Sequence, residues 1–157
     1  MLLENIKLFD GVVVDPTSSI NNIVIYNSVK VSKRCSLYGS KKYILEIGEN
    51  SYVGMNTIIN GYNSKVIIGS NVSIAQSVNI MADSGPNASL EMQKFFPMHS
   101  GAVTIGNHCW IGANSIIMPG VELGDFCVVA ANSYVNKSFE PYSVIGGNPA
   151  TLIKKLK

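Results

Sequence analysis

Charge is scarce in this chain. Only 14% of its 157 residues are Asp, Glu, Lys or Arg, where an ordinary soluble domain carries roughly 25%. Something other than a charged surface must cover it, and buried contact between subunits is the simple candidate. Arg34 is the one arginine, which excludes a guanidinium cluster built to clamp phosphate. A net charge of +2 is too small to argue for nucleic acid. The three cysteines, Cys35, Cys109 and Cys127, form neither a metal-ligand spacing nor an even disulfide set. No apolar run is long enough to span a bilayer, and no export signal is read at the start. These absences predict a reduced, cytoplasmic protein with one domain over residues 1–157.

What is present is a beat of six. From Ile105 an aliphatic residue returns at Ile111, Ile117, Leu123, Val129 and Val135. The same step links Ile47, Val53 and Ile59, then Ile68, Ile74 and Ile80, with a weaker copy at Ile25, Val31 and Leu37. A small residue follows most anchors, as in Gly48, Gly54, Gly106 and Gly112, and is read as the backbone pivot. Four residues after the anchors lie compact side chains such as Ser51, Thr57, Val72, Cys109, Ser115 and Cys127. Cys109 and Cys127 are therefore read as core fillers. A period of six matches neither a helix nor a simple strand alternation. It predicts an all-β column with a triangular coil: each hexad gives one short strand and one corner, three hexads close a turn, and coils stack at about 4.8 Å with parallel pairing.

The beat slips in three places. Four extra residues separate Leu37 from Ile47, and three separate Ile59 from Ile68. Both are read as corner loops. The third slip runs from Asp83 to Ala102, an excursion of about twenty residues, the length at which loops are usually functional. Its Met92, Phe95, Phe96 and Met98 are too apolar for a free loop and predict packing across a neighbouring subunit. Beyond Val135 the segment 137–157 is expected to cap the stack, with a short C-terminal helix protecting an edge that invites aggregation.

The run Ile105 to Asp125 (IGNHCWIGANSIIMPGVELGD), with the closing Val144 to Lys154 (VIGGNPATLIK), resembles the hexapeptide-repeat acetyltransferases, in particular the galactoside, maltose and polysaccharide O-acetyltransferase branch. The resemblance covers roughly residues 44–157 and implies a left-handed parallel β-helix. It further implies a homotrimer with active sites between adjacent prisms, acetyl-CoA as the donor, and a sugar or nucleotide-sugar acceptor. The activity implied is transfer of an acetyl group to a sugar hydroxyl or amine in surface polysaccharide biosynthesis. Carried over by position, Trp110, Ala113 and Ala131 line the pantetheine channel, while Lys154 and Lys155 meet the cofactor phosphates. Asn56 stands where the family's asparagine contacts the acceptor and the developing charge. No metal is expected, because the zinc-dependent carbonic anhydrase branch of this fold needs three histidines per site and this chain has only His99 and His108.

One family residue is missing. Acyl transfer needs a general base, and the family's histidine, just before a proline, aligns with Gly85 ahead of Pro86. Three readings stay open. His99, at the far end of the excursion, swings back as the base; Asp83, at the near end, acts as the base or orients a histidine from the neighbouring subunit; or the chemistry is lost and the chain is an idle trimeric scaffold. His108 sits at a corner inside a hexad and is read as surface or interface.

Overall fold

The computed structural model describes residues 3–157. Every anchor named above is buried, most of them completely. The anchors stack along one axis because the chain closes a turn every three hexads. Face one pairs Ile6–Leu8, Ile23–Ile25, Leu45–Ile47, Val66–Ile68, Val103–Ile105 and Glu122–Leu123 in that order. Face two starts at Val13–Val14, passes through Lys30–Val31, Tyr52–Val53, Ser73–Ile74, Trp110–Ile111 and Val128–Val129, and ends at Ser143–Gly147 and Ala150–Lys155. Face three runs from Ser19–Asn21 to Tyr134–Val135. Pairing between successive coils is parallel and in register, as in Ile68 opposite Ile47 on one side and Ile105 on the other. The result is a triangular prism, a parallel β-helix filled with aliphatic side chains. Burying each Ile, Leu or Val contributes about 1.5–3 kcal/mol.

The pivot lies three residues after the anchor, not one. Asn50, Asn56, Asn71, Asn114 and Asn132 all stand at φ between 57° and 60°, the left-handed region that asparagine tolerates better than most residues. The small residue directly after the anchor has a different task. A Cβ on Gly48 would sit 2.5 Å from the Gly69 carbonyl carbon, and one on Gly54 would sit 2.5 Å from that of Ala75. These glycines let coils approach; they do not turn the chain.

Bulky residues occupy the pivot at one corner, where His108, Phe126 and Tyr142 all have φ near 60°. Their rings stack at the coil spacing, His108 on Phe126 at 4.7 Å and Phe126 on Tyr142 at 5.0 Å. His108 is thereby part of a ladder of rings. The cysteines are buried and free, with Cys109 donating to the Gly124 carbonyl and Cys127 to that of Glu140. They fill the core as expected.

The column begins before the clear repeats, with Leu8, Val14 and Ile20 opening a first coil under Ile25, Val31 and Leu37. The expected C-terminal helix is overturned. The C-terminal cap is no helix: Ala150–Lys155 turns back as a strand antiparallel to Ser143–Gly147. The physical reason is the open edge of face two. The backbone groups of Ser143–Gly147 need partners, and Thr151 and Ile153, β-branched, suit an extended strand better than a helix. The one helix among the described residues, Leu90–Gln93, is instead in the excursion, where Ser89 caps it by accepting from the Met92 amide at 3.0 Å.

Candidate active site

The register slips share a corner. The loops after Leu37, Ile59 and Ile80 all leave the prism where face three passes to face one. In a regular column each hexad is equivalent, so stacking the irregular segments on one edge concentrates the side chains that the core does not use. That edge carries Tyr38, Asn60, Tyr62, Asn63 and both ends of the excursion.

The excursion closes on itself. Asp83–Ser84 pairs antiparallel with His99–Ser100, with Asp83 opposite Ser100 and Ser84 opposite His99. Side chains alternate across such a ribbon, so Asp83 and His99 point to opposite sides and do not form a hydrogen-bonded dyad. Asp83 turns toward the prism, half-buried, where Oδ1 accepts from Asn60 Nδ2 at 3.1 Å and Oδ2 from Asn63 Nδ2 at 3.0 Å. Each oxygen keeps a further lone pair for a substrate proton. Tyr38 lies close by: burial, and then the charge of Asp83, pushes its phenol above the ordinary value. His99 is exposed on the outer side.

Gly85 is not simply a vacant histidine position. A Cβ there would meet Met98 Sδ at 2.5 Å, so the far arm of the excursion has closed over the place. A methionine contact across a loop leaves no mark in sequence spacing.

The remaining candidates lie elsewhere. Trp110 stands on the outer side of face two, 59% exposed. Ala113 and Ala131 stack one coil apart at the corner between faces two and three. Asn56 belongs to that same corner, two coils below Ala113, and its Oδ1 accepts from Arg34 Nε at 3.0 Å. Its left-handed backbone accounts for an asparagine there without any ligand. Lys154 and Lys155 extend face two on the terminal strand, and Lys155 Nζ donates to the Pro141 carbonyl at 3.0 Å.

A triangular prism makes this division sharp. The corner between faces three and one is the corner opposite face two. The structure therefore brings Trp110, Ala113, Ala131 and Asn56 to one side of the protomer and Asp83 and His99 to the other. Among the described residues no group of three His, Cys, Asp or Glu side chains is placed to hold a metal.

Comparison with known proteins fits this architecture. A family model described as the hexapeptide repeat of succinyl-transferase matches residues 102–137. The galactoside O-acetyltransferase of Escherichia coli (strain K12) is 39% identical over 120 residues, covering 76% of this chain and 56% of that protein's length. The crystal structure of a maltose O-acetyltransferase from Clostridium difficile 630 is 31% identical with a TM-score of 0.66, covering 95% of this chain and 71% of that one. AntD, an N-acyltransferase from Bacillus cereus in complex with dTDP and 3-hydroxybutyryl-CoA, superposes with a TM-score of 0.83 at 26% identity, covering 95% of this chain and 82% of that one. The chain belongs to the hexapeptide-repeat acetyltransferases.

Proposed function

We propose that this protein transfers an acetyl group from acetyl-CoA to a hydroxyl or amine of a sugar, in a homotrimer whose active sites lie between protomers. The observation that carries the reading is the opposition just described. Residues suited to the donor occupy face two and its edge, residues suited to proton transfer occupy the far corner, and one protomer cannot join them. Packing the loop corner of one prism against face two of the next joins both sets in each of three clefts. The scarcity of charge and the exposed Phe95 (76%) and Phe96 (68%) on the excursion support such an assembly. No helix among the described residues is long and apolar enough to cross a membrane; the cytoplasmic setting we assign rests on the cysteine pattern, and a place in surface polysaccharide biosynthesis follows from the branch that residues 105–125 and 144–154 resemble.

In the mechanism we assign, the thioester chain lies along the corner of Ala113 and Ala131, where side chains are small, with Trp110 as one wall. Lys154 and Lys155 offer ammonium groups to the phosphates. The acceptor oxygen or nitrogen attacks the thioester carbonyl and gives its proton to Asp83. A tetrahedral oxyanion forms, to which the Asn56 amide is the side-chain donor we assign. Its collapse breaks the C–S bond, and the thiolate leaves as CoA. Asp83 is preferred to His99 because two amides hold its carboxylate in place. His99, on the outer side of the ribbon, is the second candidate. The relatives named above give no support to an idle scaffold.

The test is release of free CoA over a panel of sugars and nucleotide sugars. Removing a general base costs about 10²–10⁴-fold in kcat. Asp83→Asn is expected to lose that much with acetyl-CoA affinity preserved, and His99→Ala to lose far less. The reverse pattern transfers the role to His99, and no CoA release by the wild type with any acceptor defeats the proposal.

A further inference from the structure

The three faces of the prism end at different heights. Face three closes with Tyr134–Val135, and face one with Glu122–Leu123 plus a single bridge from Leu123 to Phe139. Face two continues through Ser143–Gly147 to Ala150–Lys155. At about 4.8 Å per strand its last strand stands roughly 10 Å above Val128–Val129, as a rim on one end of the column. The rim is apolar: Leu152 is 50% exposed, Ile153 60% and Leu156 49%. The Leu156 amide donates to the Tyr142 carbonyl at 2.8 Å, which ties the tail to the column. Both ends of the excursion lie on the coils of Ile74 and Ile111, three to four strands lower along face two. A neighbouring column set alongside in parallel therefore meets face two well below the rim.

Charge is sorted along the same axis. Residues 136–157 hold Lys137, Lys154, Lys155 and Lys157 against Glu140, a net of +3, whereas residues 3–21, at the other end, hold Lys7 against Glu4, Asp10 and Asp15, a net of −2. Lys154 and Lys155 are assigned to the donor, but Lys137 and Lys157 have no part in it. Both are exposed, with Lys157 Nζ 4.8 Å from the centre of the Tyr142 ring and Lys137 Nζ 5.5 Å from that of Phe139. An apolar rim flanked by ammonium groups suits a surface with hydrocarbon just beneath a layer of negative charge. An acidic peptide would answer the lysines alone. Three columns about a threefold axis parallel to their length present three such rims in one plane, with the acidic ends pointing away.

We infer that this end of the column docks on an anionic lipid surface. Leu152, Ile153 and Leu156 enter the boundary between headgroups and acyl chains, and Lys137 and Lys157 meet the lipid phosphates. One protomer carries the whole patch; the proposed trimer multiplies it, and the docking needs neither donor nor acceptor.

Flotation of the intact protein with lipid vesicles tests it, comparing phosphatidylcholine alone with vesicles one-third phosphatidylglycerol, at low and high salt. Binding is expected to the anionic vesicles and to fall as salt is raised. One lysine near such a surface contributes about fivefold to partition, so Lys137→Gln with Lys157→Gln should weaken binding by about 25-fold. Leu152→Ser with Leu156→Ser should weaken it by a route that salt does not alter. Lys30→Gln with Lys33→Gln removes the same charge near the other end of face two, several Debye lengths away, and should leave binding unchanged. No binding to anionic vesicles, equal binding to phosphatidylcholine, or full binding in the double lysine variant overturns the inference. So does displacement by poly-glutamate with the leucine variant binding as wild type, which would assign the lysines to an acidic protein. CoA release without vesicles should be the same in the lysine variant as in wild type, so failure of the docking and failure of the transferase reading are separate results.

Discussion

Gly48→Ala and Gly120→Ala separate two reasons for glycine in this fold, and stability measures which is at work. Gly48 has an ordinary backbone, but an added Cβ would lie within 2.7 Å of three backbone atoms of Gly69 and Ser70. Ordinary contact begins near 3.4 Å, so the two coils must part by most of an ångström at a place where Gly48 N donates to the Ile68 carbonyl at 2.8 Å. Overpacking of that kind costs about 1–3 kcal/mol. Because backbone cannot rotate away as a side chain can, the upper half of that range is expected. Gly120 is the converse: its φ is +83°, yet nothing lies within 4 Å of an added Cβ. Its alanine meets only the left-handed penalty of about 1–2 kcal/mol, offset by about 0.4–1 kcal/mol from a stiffer unfolded chain. For a chain of this length 1 kcal/mol moves Tm by about 2–4 °C. Thermal unfolding by circular dichroism, at one protein concentration since assembly shifts Tm, should place Gly48→Ala roughly 4–12 °C below wild type and Gly120→Ala no more than about 6 °C below it, with the loss at Gly48 the larger. Equal losses, or a larger loss at Gly120, would refute the reasoning that coil approach sets the small position.

Two other perturbations probe the surfaces of the column. Phe95→Ser with Phe96→Ser removes the most exposed rings of the excursion and is expected to shift the protein toward smaller species in sedimentation equilibrium with an unchanged far-ultraviolet spectrum; an unchanged mass contradicts the packing assigned to that loop. Deleting 150–157 uncovers the edge of Ser143–Gly147, which the terminal strand now pairs, and concentration-dependent aggregation by light scattering is expected; a monodisperse product would show that the strand protects nothing.

The column was legible because its signal is redundant. Each aliphatic anchor from Ile25 onward repeats the same demand, and a single slip cannot hide it. The first coil is harder to read: Leu8, Val14 and Ile20 keep the step of six, but the step from Ile20 to Ile25 is five residues and Leu8 stays exposed, so the run breaks off before the clear repeats. The terminal strand is not legible in its own pattern, because its pairing partner decides its form and Leu152 and Ile153 remain exposed. At the site, sequence supplied Asp83 and His99 but not their separation. Only the ribbon register shows them on opposite sides. The contact of Met98 with position 85, and the pairing of Asp83 with Asn60 and Asn63, join residues about thirteen to twenty-three positions apart across irregular loops, where spacing carries no information.

A site that no single protomer can complete is tested most directly by mixing two crippled variants. Asp83→Asn spoils the loop corner and Trp110→Ala spoils face two, so each homogeneous protein should release little CoA. After the two are dissociated and reassembled together in equal amounts, each cleft draws its two sides from different protomers, and about a quarter of the clefts regain both intact sides by random assortment. Activity recovering to about that fraction of wild type is the predicted result. A mixture no more active than its two components would contradict the shared site.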